Sequence, residues 1–404
     1  MRLAFTNATI HTITGPVIPN GTLLVDEGKI VAVGDTSRID ASRYEIIDCS
    51  GKHITPGFID AHSHVGLWEE GAGPGPANSD GNEMTAPITP YLRAMDAIFP
   101  EDMGFDDARK GGVTTMGITP GSGNLIGGQF CVVKSYGHVV DDMIIKQPAG
   151  VKMALGENAK RVGFNNKRAP TTRMGNAYLI RQAFYDALDY QSEWQQYQDE
   201  LRANESKPPE ERKLPKRPKY DLGNEMLLKI LSGSVPVRCH SHRADDIRTA
   251  IRLSEEFGFQ LIIDHATESH KIKEIIKERN LPVVVGPLLT NRSKRELKNR
   301  TLKTPGIMMK AGVTVAITTD APVIPIHGLR DTVIMAVREG LPATRALETI
   351  TINPAKILGV DERVGSIEVG KDADFLIFDG DPLDARSAVE RTYIDGKLVY
   401  HRDD

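Results

Sequence analysis

The chain has 404 residues, 40% of them hydrophobic and 26% charged, with a formal net charge of −4. This composition excludes a disordered, collagen-like or fibrous chain, and the charge offers no basic field to attract nucleic acid or acidic lipid. The three cysteines, Cys49, Cys131 and Cys239, lack Cys-x-x-Cys spacing, which argues against a disulfide framework and for the reducing cytoplasm.

Residues 1–10 alternate like a strand, without the long apolar core or small-residue cleavage site of a signal peptide. No apolar stretch reaches the about 18 residues that a transmembrane helix needs. Leu23 to Val33 forms two β-rich runs around Asp26-Glu27-Gly28-Lys29, a hairpin signal. From Pro56 onward strands alternate with helical stretches. Candidate strands end near His64, Thr119, Val133, Glu157, His240, His265, Pro287 and Asp320, and helical patterns such as Asp245 to Phe257 and His270 to Asn280 separate several of them. The alternation argues for a parallel sheet, and the number of strands for a closed (β/α)8 barrel of the TIM type, hence an α/β fold.

Tyr190 to Tyr220 breaks the rhythm. It is rich in Gln, Glu, Lys, Arg and Pro and is expected to form a solvated extension, part helix and part loop. The C-terminal end returns to strands. Ala373 to Phe378 is one, and Thr392 to Tyr400 is a hairpin around Asp395-Gly396. Neither end has the apolar surface to fold alone, so both are expected to pair into one small β-sandwich module. The expected domains are 1–54 with 355–404 for that module and 55–354 for the barrel, with the charged insertion near 190–220.

The strongest chemical signal is Pro56-Gly57-Phe58-Ile59-Asp60-Ala61-His62-Ser63-His64. Alternation on a strand turns His62 and His64 to one side, about 7 Å apart along the chain. Two imidazoles at that spacing can grip one divalent ion. His240, His265 and Asp320 close later strands, at the end where barrel enzymes build their sites. Packing alone does not explain four histidines and an acid at successive strand ends.

With these residues the chain resembles the amidohydrolase superfamily over nearly its whole length. The resemblance rests on the Pro-Gly-Phe-Ile-Asp-x-His-x-His run, the single histidines closing strands five and six, Thr319-Asp320, and the tail Gly365 to Phe375. It is closest to the branch with imidazolonepropionase and the metal-dependent prolidase-like dipeptidases. The resemblance implies two divalent metals, zinc first and iron or manganese as substitutes. His62, His64 and Asp320 would hold the first, and His240 and His265 the second. A shared water would become hydroxide, with Asp320 as general base and acid, and a metal, aided by a histidine such as His265, would polarise the carbonyl.

The resemblance also implies a bridging anion on strand four, a carboxylated lysine or a glutamate. In the run Gly150 to Asn158, Lys152 stands near the start, about 16 Å before the end. Glu157 stands at the rim, so Glu157 is the expected bridge and a carboxylated Lys152 the alternative. On strand five His240 and His242 share a face, and the family register favours His240. If His242 were the ligand, Asp245 would take the acid position of deaminase-like relatives; otherwise that position is Arg243. Trp68, Glu69, His242, Arg243 and His327 are candidates to contact substrate. The glycine-rich run Gly121 to Gln129 lacks the Gly-Lys-Ser/Thr of a phosphate loop and is expected to make a tight loop over the site.

The implied activity is hydrolysis of a C–N bond in a dipeptide, an N-acyl amino acid or a cyclic amide. The alternatives are deamination of a heterocycle or imidazolonepropionase-like ring opening, and a non-catalytic barrel. A small-molecule substrate is expected, with no nucleic-acid or membrane partner; assembly into a homo-oligomer stays open.

Overall fold

The protein is described from a computed structural model, which describes residues 2–71 and 79–403. Its first strands follow the alternation of the sequence: β1 (Leu3–Ile10), β2 (Ile18–Asp26), β3 (Lys29–Asp35), β4 (Glu45–Asp48) and β5 (His53–Pro56). β2 and β3 pair antiparallel through Leu23↔Val33 and Leu24↔Ala32. Their turn sets Glu27 and Gly28 at φ 50° and 79°, the left-handed pair that a tight hairpin requires and that glycine adopts without strain.

The chain returns to the same sheet at its far end with β14 (Phe375–Phe378), β15 (Val389–Ile394) and β16 (Lys397–His401). β5 is the seam. It pairs parallel to β1 on one side and antiparallel to β14 on the other, with Thr55 opposite Leu376. Eight strands thus make one separate sheet from the two chain ends. Its core centres on Phe5, Phe375 and Tyr393, whose rings lie 4.6–5.0 Å apart.

Between these ends lies a nearly closed sheet of β6 (Phe58–Ser63), β7 (Val113–Ile118), β8 (Ile126–Lys134), β9 (Ile144–Ala154), β10 (Val237–Ser241), β11 (Leu261–His265), β12 (Val283–Val285) and β13 (Val315–Ile317). The fold is mixed α/β and its barrel is mostly parallel, with one departure from the expected all-parallel (β/α)8 pattern. β8 runs antiparallel to both β7 and β9. Connection length explains this: only residues 119–125 and 135–143 join these strands, whereas a parallel crossover needs about a dozen or more residues. The glycine-rich run supplies the tight β7–β8 link.

β6 and β13 stand at the two edges of this sheet, and side chains bridge them. Buried Asp60 accepts from Thr318 Oγ1 at 2.5 Å, from Thr319 N at 2.9 Å and from Thr319 Oγ1 at 2.6 Å. His64 N donates to Ala321 O at 2.9 Å. The helix Ile352–Leu358 packs Ala355, Ile357 and Leu358 against the barrel-lining Ile59, Ala61, Val284 and Ala316. It lies at the N-terminal ends of the strands, since Asn353 Nδ2 donates to Val315 O and Lys146 Nζ to Leu358 O. One mouth of the barrel is therefore plugged and the other carries the polar residues.

After β9 the chain makes a helix of 33 residues, Arg173–Glu205, that returns through an exposed segment to the helix Leu222–Leu231. Tyr190 Oη donates to Glu225 at 2.7 Å and ties the two together. Among the described residues no helix is long and apolar enough to cross a membrane.

Candidate metal centre

The other mouth gathers two clusters of donor atoms, His62 with His64 and Asp320, and His240 with His242 and His265. The imidazoles touch edge to face across the barrel, with ring centres 4.7 Å apart for His62–His265 and 4.3 Å for His240–His265. His265 and Asp320 both have positive φ, 68° and 56°. A non-glycine residue pays strain for that conformation, and such strain gathers at functional sites.

Hydrogen bonds orient three of the rings, and a carboxylate faces a fourth. His64 Nδ1 donates to Thr119 O at 2.6 Å and His265 Nδ1 to Gly286 O at 2.8 Å. His242 Nδ1 bonds Thr267 Oγ1 at 2.8 Å, and His62 Nδ1 faces Asp264 Oδ2 at 3.1 Å. With Nδ1 engaged, Nε2 is left to face the mouth, the usual arrangement behind a ligating histidine. Asp264 is itself held by Arg238 at 2.7 Å, and both side chains are fully buried. Arg238 lies 4.6 Å over the Phe130 ring.

Burial pushes the His64 and His242 pKa values down to about 4 and those of His240 and His265 well below the ordinary imidazole value. These imidazoles are thus neutral at pH 7, with lone pairs free. Burial pushes Asp320 upward, but His265 and the bonds from His62 and His64 outweigh it and hold the carboxyl well below its usual range. Asp320 Oδ1 lies 3.4 Å from His62 Nε2 and 3.3 Å from His64 Nε2. Neutral imidazoles around an ionised carboxylate are the donor set of a divalent-cation site. The buried Nε2 atoms of His240 and His242 have no hydrogen-bond partner, so the residues fit a bound cation.

Other sequence-derived candidates lie differently. Lys152 stands two residues before the end of β9, not near its start, because β9 ends at Ala154. It is fully buried, its Nζ 3.1 Å from His62 Nε2, and burial lowers its pKa to about 8. Glu157 opens the helix Glu157–Asn165. Its carboxylate accepts from Glu296 N at 3.2 Å, while Glu157 N donates to Glu296 Oε2 at 3.1 Å. Trp68 packs its ring 4.2 Å from His64 and donates to Ser79 Oγ. Glu69 is exposed. Arg243 pairs outward with exposed Asp245 at 2.7 Å, so neither points into the mouth. His327 lies against Gly111, near the N-terminal end of β7 and away from the clusters, and faces Asp107 at 3.7 Å.

Four residues near the clusters were not singled out from the sequence as site residues: Asp60, Arg238, Asp264 and Glu296. Asp60 stands two residues before His62, on the same strand face, and Asp264 directly precedes His265; that nearness to named histidines was the available signal. Glu296 lies in a charged loop and had none.

A family model described as an amidohydrolase family matches residues 233–400. An amidohydrolase from Thermotoga maritima MSB8, known by crystal structure, is 45% identical, covers 99% of this chain and 100% of its own, and superposes with a TM-score of 0.91. Amidohydrolase tasK of Hapsidospora irregularis is 31% identical over 94% of this chain, which spans 40% of that relative's length. A 5-methylthioadenosine/S-adenosylhomocysteine deaminase of Bacillus cereus (strain 03BB102) is 24% identical over 94% of this chain and 86% of its own.

Proposed function

The chain belongs to the amidohydrolase superfamily, and on that premise we propose that it hydrolyses a C–N bond in a small linear or cyclic amide. The observation that carries this is the convergence of five imidazoles and Asp320 on one barrel mouth. His62, His64 and Asp320 would hold one divalent cation, and His240 and His265, with His242 beside them, a second. Bound there, divalent cations supply Lewis acidity to a carbonyl oxygen and bring the pKa of water towards neutrality.

The protein's own groups do the rest. Asp320 is ionised and its side chain is 14% exposed, more than His64 at 7% or His62 at 0%. It takes a proton from the attacking water and passes it to the leaving nitrogen. Trp68 walls the mouth beside His64 and limits water there. Arg238 and Asp264 act through His62, holding its ring in one tautomer. For the bridging anion, the burial of Lys152 beside His62 favours a carboxylated Lys152 over Glu157, whose carboxylate is engaged elsewhere. A buried amine with a lowered pKa is the form that adds carbon dioxide.

The test is metal analysis of the purified protein joined to a screen of dipeptides, N-acyl amino acids, cyclic amides and amino-heterocycles. Metal-dependent release of a carboxylate with its amine supports the reading. Ammonia release from a heterocycle would move the assignment to a deaminase, a reaction for which exposed Asp245 is poorly placed. No turnover across all classes, with metal present, would count against both.

A further inference from the structure

We propose that Glu296 is a direct carboxylate ligand of the second cation, beside His240 and His242. This rests on the reading of the barrel mouth as a two-cation centre and adds a ligand that the motifs do not announce.

Glu296 sits in the turn Arg295–Leu297, in the charged loop Ser293-Lys294-Arg295-Glu296-Leu297-Lys298. A carboxylate on such a loop ordinarily faces water. This one is 2% exposed, and a buried carboxylate is costly unless something compensates it. Oε2 is compensated by Glu157 N. Oε1 is buried without a hydrogen-bond partner, as are His240 Nε2 and His242 Nε2. Oε1 lies 3.7 Å from each of those two nitrogens.

That separation discriminates between occupants. It is too long for a direct hydrogen bond. Two donors about 2.1 Å from one tetrahedral zinc lie about 3.4 Å apart. Acceptors about 2.8 Å from one tetrahedral ammonium nitrogen lie about 4.6 Å apart. The observed spacing is near the first value and well short of the second. One divalent cation would satisfy all three orphaned atoms at once, and the anion would offset its charge.

The surrounding backbone holds the carboxylate in place. Gly156 has φ 99°, and a Cβ there would come within 2.7 Å of Glu296 Oε2. The reciprocal bonds with Glu157 lock the turn to the start of the next helix. His242 is pinned by Thr267 with its Nε2 turned to Glu296.

The test is zinc titration of chelator-stripped enzyme by calorimetry, with elemental analysis of bound metal, for wild type and Glu296→Gln. The glutamine keeps an oxygen for Glu157 N. Wild type is expected to take up two equivalents. The variant should retain the equivalent held by His62, His64 and Asp320 and bind the other more than about 100-fold more weakly, beyond the 10–100-fold typical of groups that only orient a ligand. Two ions bound with unchanged affinity in the variant overturn the proposal. A wild type that binds one ion overturns it and leaves the first site standing; one that binds none overturns the two-cation reading too. If the variant fails to fold, anomalous diffraction at the zinc edge from unmodified enzyme decides. A Glu296 oxygen about 2.0–2.2 Å from the second peak supports the proposal, and one beyond about 3 Å overturns it.

Discussion

Lys152 Nζ lies 3.1 Å from His62 Nε2, and both side chains are fully buried. The arrangement puts an amine where a cation site needs an anion. Its pKa falls from 10.5 to about 8 through burial. The unfolded chain therefore binds more protons between those values, and stability rises as pH climbs through that window. Below it the buried charge costs on the order of 3 kcal/mol. In metal-free, bicarbonate-free protein at pH 7, Lys152→Met should raise the melting temperature by roughly a few degrees and abolish activity. Scanning calorimetry checks the first and an activity assay the second; a lower melting temperature argues against the account. Labelled bicarbonate should give wild type a carbamate carbon resonance that the variant lacks.

Asp320→Asn should lower kcat by about 10³-fold, the range expected when a positioned acid–base group is lost. The far-UV circular dichroism should not change, because the Asp60 bonds to Thr318 and Thr319 that link β6 to β13 remain. Retention of most of the activity would show that the proton travels by another route.

His64 and His242 have folded pKa values lowered from 6.5 to about 4 by burial. Each favours the folded state fully above the unfolded value. As pH falls from 6.5 towards 4 the unfolded chain takes up protons that the folded one refuses, and each histidine gives up on the order of 3 kcal/mol. The melting temperature of metal-free protein should therefore drop steadily between pH 7 and pH 4.5, and more steeply with metal loaded, since protons compete with the cation. A flat profile over that range would contradict the burial argument.

Arg238→Met should destabilise the protein by about 3–5 kcal/mol, because it strands the Asp264 carboxylate in the barrel interior. Arg238→Met with Asp264→Asn should recover part of that loss in urea unfolding. Asp264→Asn alone should weaken the first cation by about 10–100-fold through the freed His62 ring. Metal titration that shows no change would remove Asp264 from the positioning role.

The strands were largely legible locally: hydrophobic runs and the residues that end them mark eight candidate barrel strands, and each lies near an observed one. The sequence also brought His62, His64, His240, His265 and Asp320 forward, since strand ends are local features and barrel topology sends them to one mouth. The direction of β8 was available in the seven-residue link from 119 to 125, which is too short for a crossover. The carboxylates and the lysine were sorted by the folded arrangement instead. Glu157 and Lys152 differ in sequence by five positions, yet one turns to a loop and the other into the barrel. Glu296 lies in a run of charges that reads as solvated surface. Burial and the facing of lone pairs arise from contacts between segments more than 100 residues apart, such as Glu157 with Glu296, and no local pattern encodes them.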